Sequence, residues 1–96
     1  MTFSNGINFF ELDHIIEIWG KSSCHYCNMA KAMTVQFDLN YTYYQLDEDF
    51  TREEFLEKFP DAKSYPQIIV DGKLVGGYME FLTLVRGPQS DPKAFY

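Results

Sequence analysis

Cys24 and Cys27 stand three positions apart in the run Cys24-His25-Tyr26-Cys27, and the chain has no other cysteine. Two thiols at that spacing can close into a disulfide and reopen, passing two electrons to or from another disulfide. One sulfur must then be a thiolate, because the thiolate is the attacking form. The flanking residues suit this. Ile15-Ile16-Glu17-Ile18-Trp19 is β-branched and aromatic, stops at Gly20, and reads as a buried strand. Ala30, Met33 and Phe37 recur at helical spacing, and Cys27 continues that face backwards, so the motif opens a helix to about Asp38. A helix N-terminus offers free N–H groups and partial positive charge, and both stabilise a thiolate. Lys21 adds positive charge three residues upstream. Cys24, at the helix start, is expected to be the more exposed sulfur and the nucleophile. Cys27, about one turn in, is expected to be buried and to resolve the mixed disulfide.

Two plainer readings compete. Structural zinc takes four ligands as a rule. The set at hand is Cys24, Cys27, His25 and His14, with His25 wedged between the cysteines and no second Cys-x-x-Cys. No metal is therefore expected. The other reading is two inert buried cysteines, a common fate of free thiols.

The remaining elements must position the pair. Tyr41 to Leu46 is a strand rich in Tyr and Thr. Asp47-Glu48-Asp49 reads as a solvated loop. Thr51 followed by Glu54 is a capping-box signature opening a helix with Phe55 and Phe59 at i and i+4, ended by Pro60-Asp61. Pro66 to Val70 is a third strand, Asp71-Gly72 a tight hairpin turn, and Lys73 to Val75 a fourth. After Gly76-Gly77 a last helix runs from about Tyr78 to Arg86, with Phe81, Leu82 and Val85 on its apolar face. The order β-α-β-α-β-β-α implies an α/β fold: a mixed four-stranded sheet flanked by three helices, its first two strands parallel.

The chain's 96 residues bound one modest core, at about residues 15–86, with irregular extensions at 1–13 and 88–96. Asn5-Gly6 is a turn signal; Phe9-Phe10 and the terminal Phe95-Tyr96 are candidates to pack back. The net charge of −6, with eight scattered basic residues, argues against nucleic acid and against anionic membrane surfaces. No stretch reaches the ~20 apolar residues of a membrane span, and no positive segment precedes Ile15-Ile16. A reducing cytoplasm is expected, where a cysteine pair is more often redox-active than a structural staple.

With these motifs in view, the chain resembles the glutaredoxins of the thioredoxin fold over about residues 15–86. Lys21-Ser22-Ser23-Cys24-His25-Tyr26-Cys27 is similar to K-x-x-C-P-Y-C, Ser64-Tyr65-Pro66-Gln67-Ile68 to T-V-P-Q-I/V, and Gly76-Gly77-Tyr78-Met79-Glu80 to G-G-x-x-D. The resemblance implies a cis bond before Pro66, facing the cysteines, and pairing of the Tyr65 backbone with a substrate cysteine. It implies glutathione as electron donor, held by Lys21, Tyr26, Ser64, Tyr65, Gly77, Tyr78, Met79 and Glu80. Lys21 would meet one carboxylate, N–H groups after Gly77 the other, and Glu80 the α-amino group. Protein disulfides and glutathione mixed disulfides are the implied substrates, with a monomer as the working form. The compact size also resembles phage-encoded members, which typically serve ribonucleotide reductase.

Departures mark this chain. His25 replaces the usual proline, and a protonated His25 would favour the Cys24 thiolate and a more oxidising pair. Tyr65 replaces a small residue and would narrow the groove. Met79 replaces a commonly polar residue, and Glu80 is longer than Asp. Where the family often has Arg or Gln near the start of the second helix, Glu53 aligns, with Arg52 and Lys63 as nearby substitutes. Two rival readings follow. One is a thioredoxin-like reductant recharged by a flavoprotein reductase. The other is a glutathione-dependent 2Fe–2S carrier, against which the bulk of His25 argues.

Overall fold

A computed structural model describes residues 13–87. The Phe9-Phe10 and Phe95-Tyr96 expectations lie outside those residues. The elements are β1 (Ile16–Gly20), α1 (His25–Gln36), β2 (Tyr41–Gln45), α2 (Arg52–Lys58), β3 (Gln67–Val70), β4 (Lys73–Gly76) and α3 (Tyr78–Arg86). The sheet order is β2-β1-β3-β4. β1 pairs parallel with β2, Ile18 opposite Tyr43, and antiparallel with β3, Ile18 opposite Ile68. β3 and β4 form an antiparallel hairpin with a register shift at Ile68/Ile69. Asp71 and Gly72 turn it with φ of 55° and 83°. Positive φ at both central residues is the backbone that matches hairpin twist.

β1 departs from the expected continuously buried strand. Its burial alternates, and Ile15 is 70% exposed ahead of the strand. Both faces are covered, but unequally: Glu17 and Trp19, on the α2 face, stay partly exposed. On one face Ile16, Ile18, Ile68 and Val70 pack with Ala30 and Met33 of α1 and Phe81 and Val85 of α3. On the other, Ile69 packs with Phe50 and with Phe55 and Phe59 of α2, and Trp19 and Tyr44 lie against them. Each fully buried large apolar side chain is worth about 1.5–3 kcal/mol. A helix cap is worth about 1 kcal/mol. The two clusters therefore hold the fold, and the caps fix where its helices begin.

Thr51 Oγ1 accepts the N–H of Glu54 at 3.1 Å, and Glu54 Oε1 accepts that of Thr51 at 2.8 Å, the reciprocal box its sequence implied. α1 ends at Gln36, where Asp38 turns the chain at φ 57°. The acidic run at 47–49 is exposed, as expected, yet ordered: Asp49 Oδ2 accepts the N–H of Gln45 at 2.8 Å.

Candidate active site

β1 ends at Gly20, and the loop from Lys21 to Ser23 delivers Cys24 to the start of α1. Neighbouring β2 pins this loop. Gly20 O accepts the N–H of Leu46 at 2.9 Å, Ser22 Oγ accepts Gln45 Nε2–H at 2.6 Å, and Lys21 O accepts the Tyr43 hydroxyl at 3.3 Å. Ser23 takes φ 57°, which turns the chain into the helix.

Cys24 is the N-cap residue of α1, a place usually held by Ser, Thr, Asp or Asn. Its Sγ accepts the N–H of Cys27 at 3.2 Å, and the first turn carries no acidic residue. A negative charge on Sγ is thus met by an N–H and by the positive end of the helix. Cys24 is 8% exposed and Cys27 is wholly buried on the face that continues into Ala30, Met33 and Thr34. The two are joined by a disulfide, with Cα atoms 5.1 Å apart.

Gly20 serves the pair in a way its sequence position did not suggest. A β-carbon there would stand 2.9 Å from Cys27 Sγ and collide with the Tyr43 hydroxyl. Any side chain there would force Tyr43 or Cys27 to shift. The clue was weak, because a glycine ending a strand is ordinary punctuation.

The Tyr65–Pro66 peptide is cis, Pro66 is buried, and the Tyr65 carbonyl oxygen lies 3.8 Å from Cys24 Sγ. The Tyr65 ring stacks on Phe55 at 4.3 Å, and Lys21 Nζ lies 5.1 Å from its centroid. Burial raises the Tyr65 phenol pKa above its ordinary value; Arg52 opposes this and Asp47 adds to it. Arg52 and Lys63 line a cavity of about 140 Å³ with Ser64 and Tyr65. Glu53, the residue that aligns with the family's Arg or Gln, does not line it.

On the other flank, Tyr26 is half-exposed and stacks on Tyr78 at 5.7 Å, with His25 edge-on to Tyr26 at 5.3 Å. Met79 is 60% exposed. Glu80 Oε1 accepts the N–H of Gly77 at 2.9 Å. Gly77 has no side chain to reciprocate, so this is half of a capping box. One Glu80 oxygen is therefore engaged in starting α3. Gly76, at φ 127°, sits where a β-carbon would press on Glu80 Cγ at 3.0 Å.

The structure thus places the Cys27 N–H and the Tyr65 carbonyl beside Cys24 Sγ, with Lys21 over the Tyr65 ring and Tyr26 stacked on Tyr78 between α1 and α3. His14 is elsewhere. Its Nδ1 meets Asp71 Oδ2 at 2.6 Å, at the far end of β1 from the motif, and β1 itself is about 16 Å long. The zinc set of Cys24, Cys27, His25 and His14 is not assembled.

A redox pair capping the helix that follows a central strand defines the thioredoxin-like class. The Glutaredoxin family profile matches residues 16–75. Glutaredoxin 1 of Escherichia coli is 33% identical over 76 residues, spanning 72% of this chain and 89% of that one. Mitochondrial glutaredoxin-2 of Pongo abelii is 34% identical over 68 residues, 68% of this chain but 42% of that protein. The chain thus spans less than half the length of its mitochondrial relative. A buckwheat glutaredoxin in complex with glutathione shares the fold at TM-score 0.64 and 21% identity, over 74% of this chain and 67% of that one. The chain belongs to the glutaredoxin family.

Proposed function

We propose that this chain is a thiol–disulfide oxidoreductase that reduces protein disulfides and glutathione mixed disulfides, with glutathione as electron donor. The observation that carries this reading is Cys24 Sγ at the α1 N-cap, accepting an N–H, with Cys27 buried behind it. The Cys24 thiolate attacks one sulfur of the substrate disulfide. That S–S bond breaks, the leaving thiolate takes a proton, and a mixed disulfide forms on Cys24. Cys27, deprotonated, attacks Cys24 Sγ; the substrate leaves reduced and the Cys24–Cys27 disulfide forms. Two glutathiones reopen it and leave as glutathione disulfide.

The Tyr65 carbonyl beside Cys24 offers a main-chain acceptor for an extended substrate segment. In this reading Lys21, with Arg52 and Lys63, takes one carboxylate of glutathione. The first N–H groups of α3, at Tyr78 and Met79, take the other, because helix starts leave such groups unpaired. Tyr26, Ser64 and Gly77 line the groove, and the second Glu80 oxygen meets the α-amino group. His25 tunes the potential from beside Cys24. A reducing compartment, the cytoplasm, suits this cycle; among the described residues no helix is long and apolar enough to cross a membrane.

Coupled assays test the reading. Turnover of a glutathionylated peptide with glutathione is expected, and Cys24→Ser should abolish it. Turnover only with a flavoprotein disulfide reductase would overturn the donor assignment.

A further inference from the structure

Lys21 carries its charge on a flexible four-carbon stem, and ordering such a stem costs rotamer entropy. Its ammonium is nevertheless placed, 5.1 Å from the centroid of the Tyr65 ring. That ring is itself held by stacking on Phe55, which is buried among Phe50, Phe59 and Ile69. The Tyr65 hydroxyl is buried without a hydrogen-bond partner, so the ring rather than the hydroxyl is what the site uses. An ammonium over an aromatic face keeps donors free on its other side. The Tyr65 carbonyl meanwhile lies beside Cys24. One residue thus borders the reacting sulfur with its backbone and carries a cation over its ring.

We infer that Tyr65 is a positioning residue for Lys21, its ring holding the ammonium where the carboxylate of a glutathionyl substrate arrives. The inference rests on the glutathione reading. It makes Tyr65, anchored through Phe55 to the α2 cluster, part of substrate affinity rather than of the sulfur chemistry.

The test is a variant cycle with two readouts. Tyr65→Leu should raise KM for a glutathionylated peptide about two- to five-fold, the range of an exposed cation–π contact, with kcat unchanged. Tyr65→Phe should match the parent, because it keeps the ring and removes an unsatisfied hydroxyl. In a Lys21→Met background, Tyr65→Leu should have no further effect. The second readout needs no turnover: the Lys21 ε-methylene protons should be ring-current shifted upfield in the parent and in Tyr65→Phe, and return toward random-coil values in Tyr65→Leu. An unmoved Lys21 resonance, or the same KM rise in the Lys21→Met background, would overturn the inference. Absence of any turnover with glutathione in the parent would instead sink the functional reading, while the Lys21 shift would still decide whether Tyr65 holds it.

Discussion

The N–H of Cys27 points at the Sγ of Cys24 across 3.2 Å, so the backbone of the second cysteine stabilises charge on the first. The relationship divides the labour of the pair. Cys24 Sγ gains a donor and the helix N-terminus, whereas Cys27 is wholly buried. With the disulfide reduced, a small alkylating reagent should label Cys24 first and Cys27 at least about ten times more slowly, following thiolate character and access. Mass mapping of partly labelled protein checks this. Equal labelling would contradict the assignment of roles.

Gly20→Ala tests the clearance under the pair. The added carbon meets Cys27 Sγ at 2.9 Å and collides with the Tyr43 hydroxyl. Overpacking of this kind costs about 1–3 kcal/mol. Thermal unfolding should fall by at least about 4 °C. An unchanged midpoint would show that β1 can shift away from Cys27.

Glu80 caps α3, and the proposed function gives it a second duty that two variants separate. Glu80→Gln keeps an oxygen for the Gly77 N–H and should leave stability nearly unchanged. Glu80→Ala loses the cap and should cost about 1 kcal/mol. Both remove the carboxylate that the proposed function sets against the α-amino group of glutathione, and both should raise KM for it. Denaturant midpoints and KM, measured on the same two variants, separate the duties.

Asp71 gives a pH signature. The Ile15 N–H, at 2.9 Å, and then His14 hold its carboxyl below the ordinary carboxylate range. A carboxyl depressed in the folded state contributes stability that is full above its unfolded pKa and is lost as pH falls through the folded value. The loss should therefore appear below about pH 4. Asp71→Asn should flatten that part of the stability–pH curve and leave the slope at higher acid pH to other groups. A parent curve already flat there would contradict the linkage.

Much of this was legible in the chain. The capping residues Thr51 and Glu54 mark α2, the Asp71-Gly72 pair marks the hairpin, and Cys27, Ala30 and Met33 mark the buried face of α1, because each signal is local. What was not legible is tertiary. Trp19 belongs to a second core because α2 covers the opposite face of the sheet, which the apolar run at 15–19 does not reveal. Thr34 is fully buried despite its hydroxyl, which donates to Lys31 O at 2.6 Å. Residues 21 and 65 meet only because the loop after β1 and the loop before β3 share one end of the sheet.

The central claim is that Cys24 and Cys27 form a redox couple in exchange with glutathione. The most direct test equilibrates the protein across ratios of glutathione to glutathione disulfide, quenches with acid, and reads the disulfide fraction by mass. A single two-electron transition is expected, within a few tens of millivolts of about −200 to −230 mV. A pair that keeps one redox state at every ratio would contradict the account.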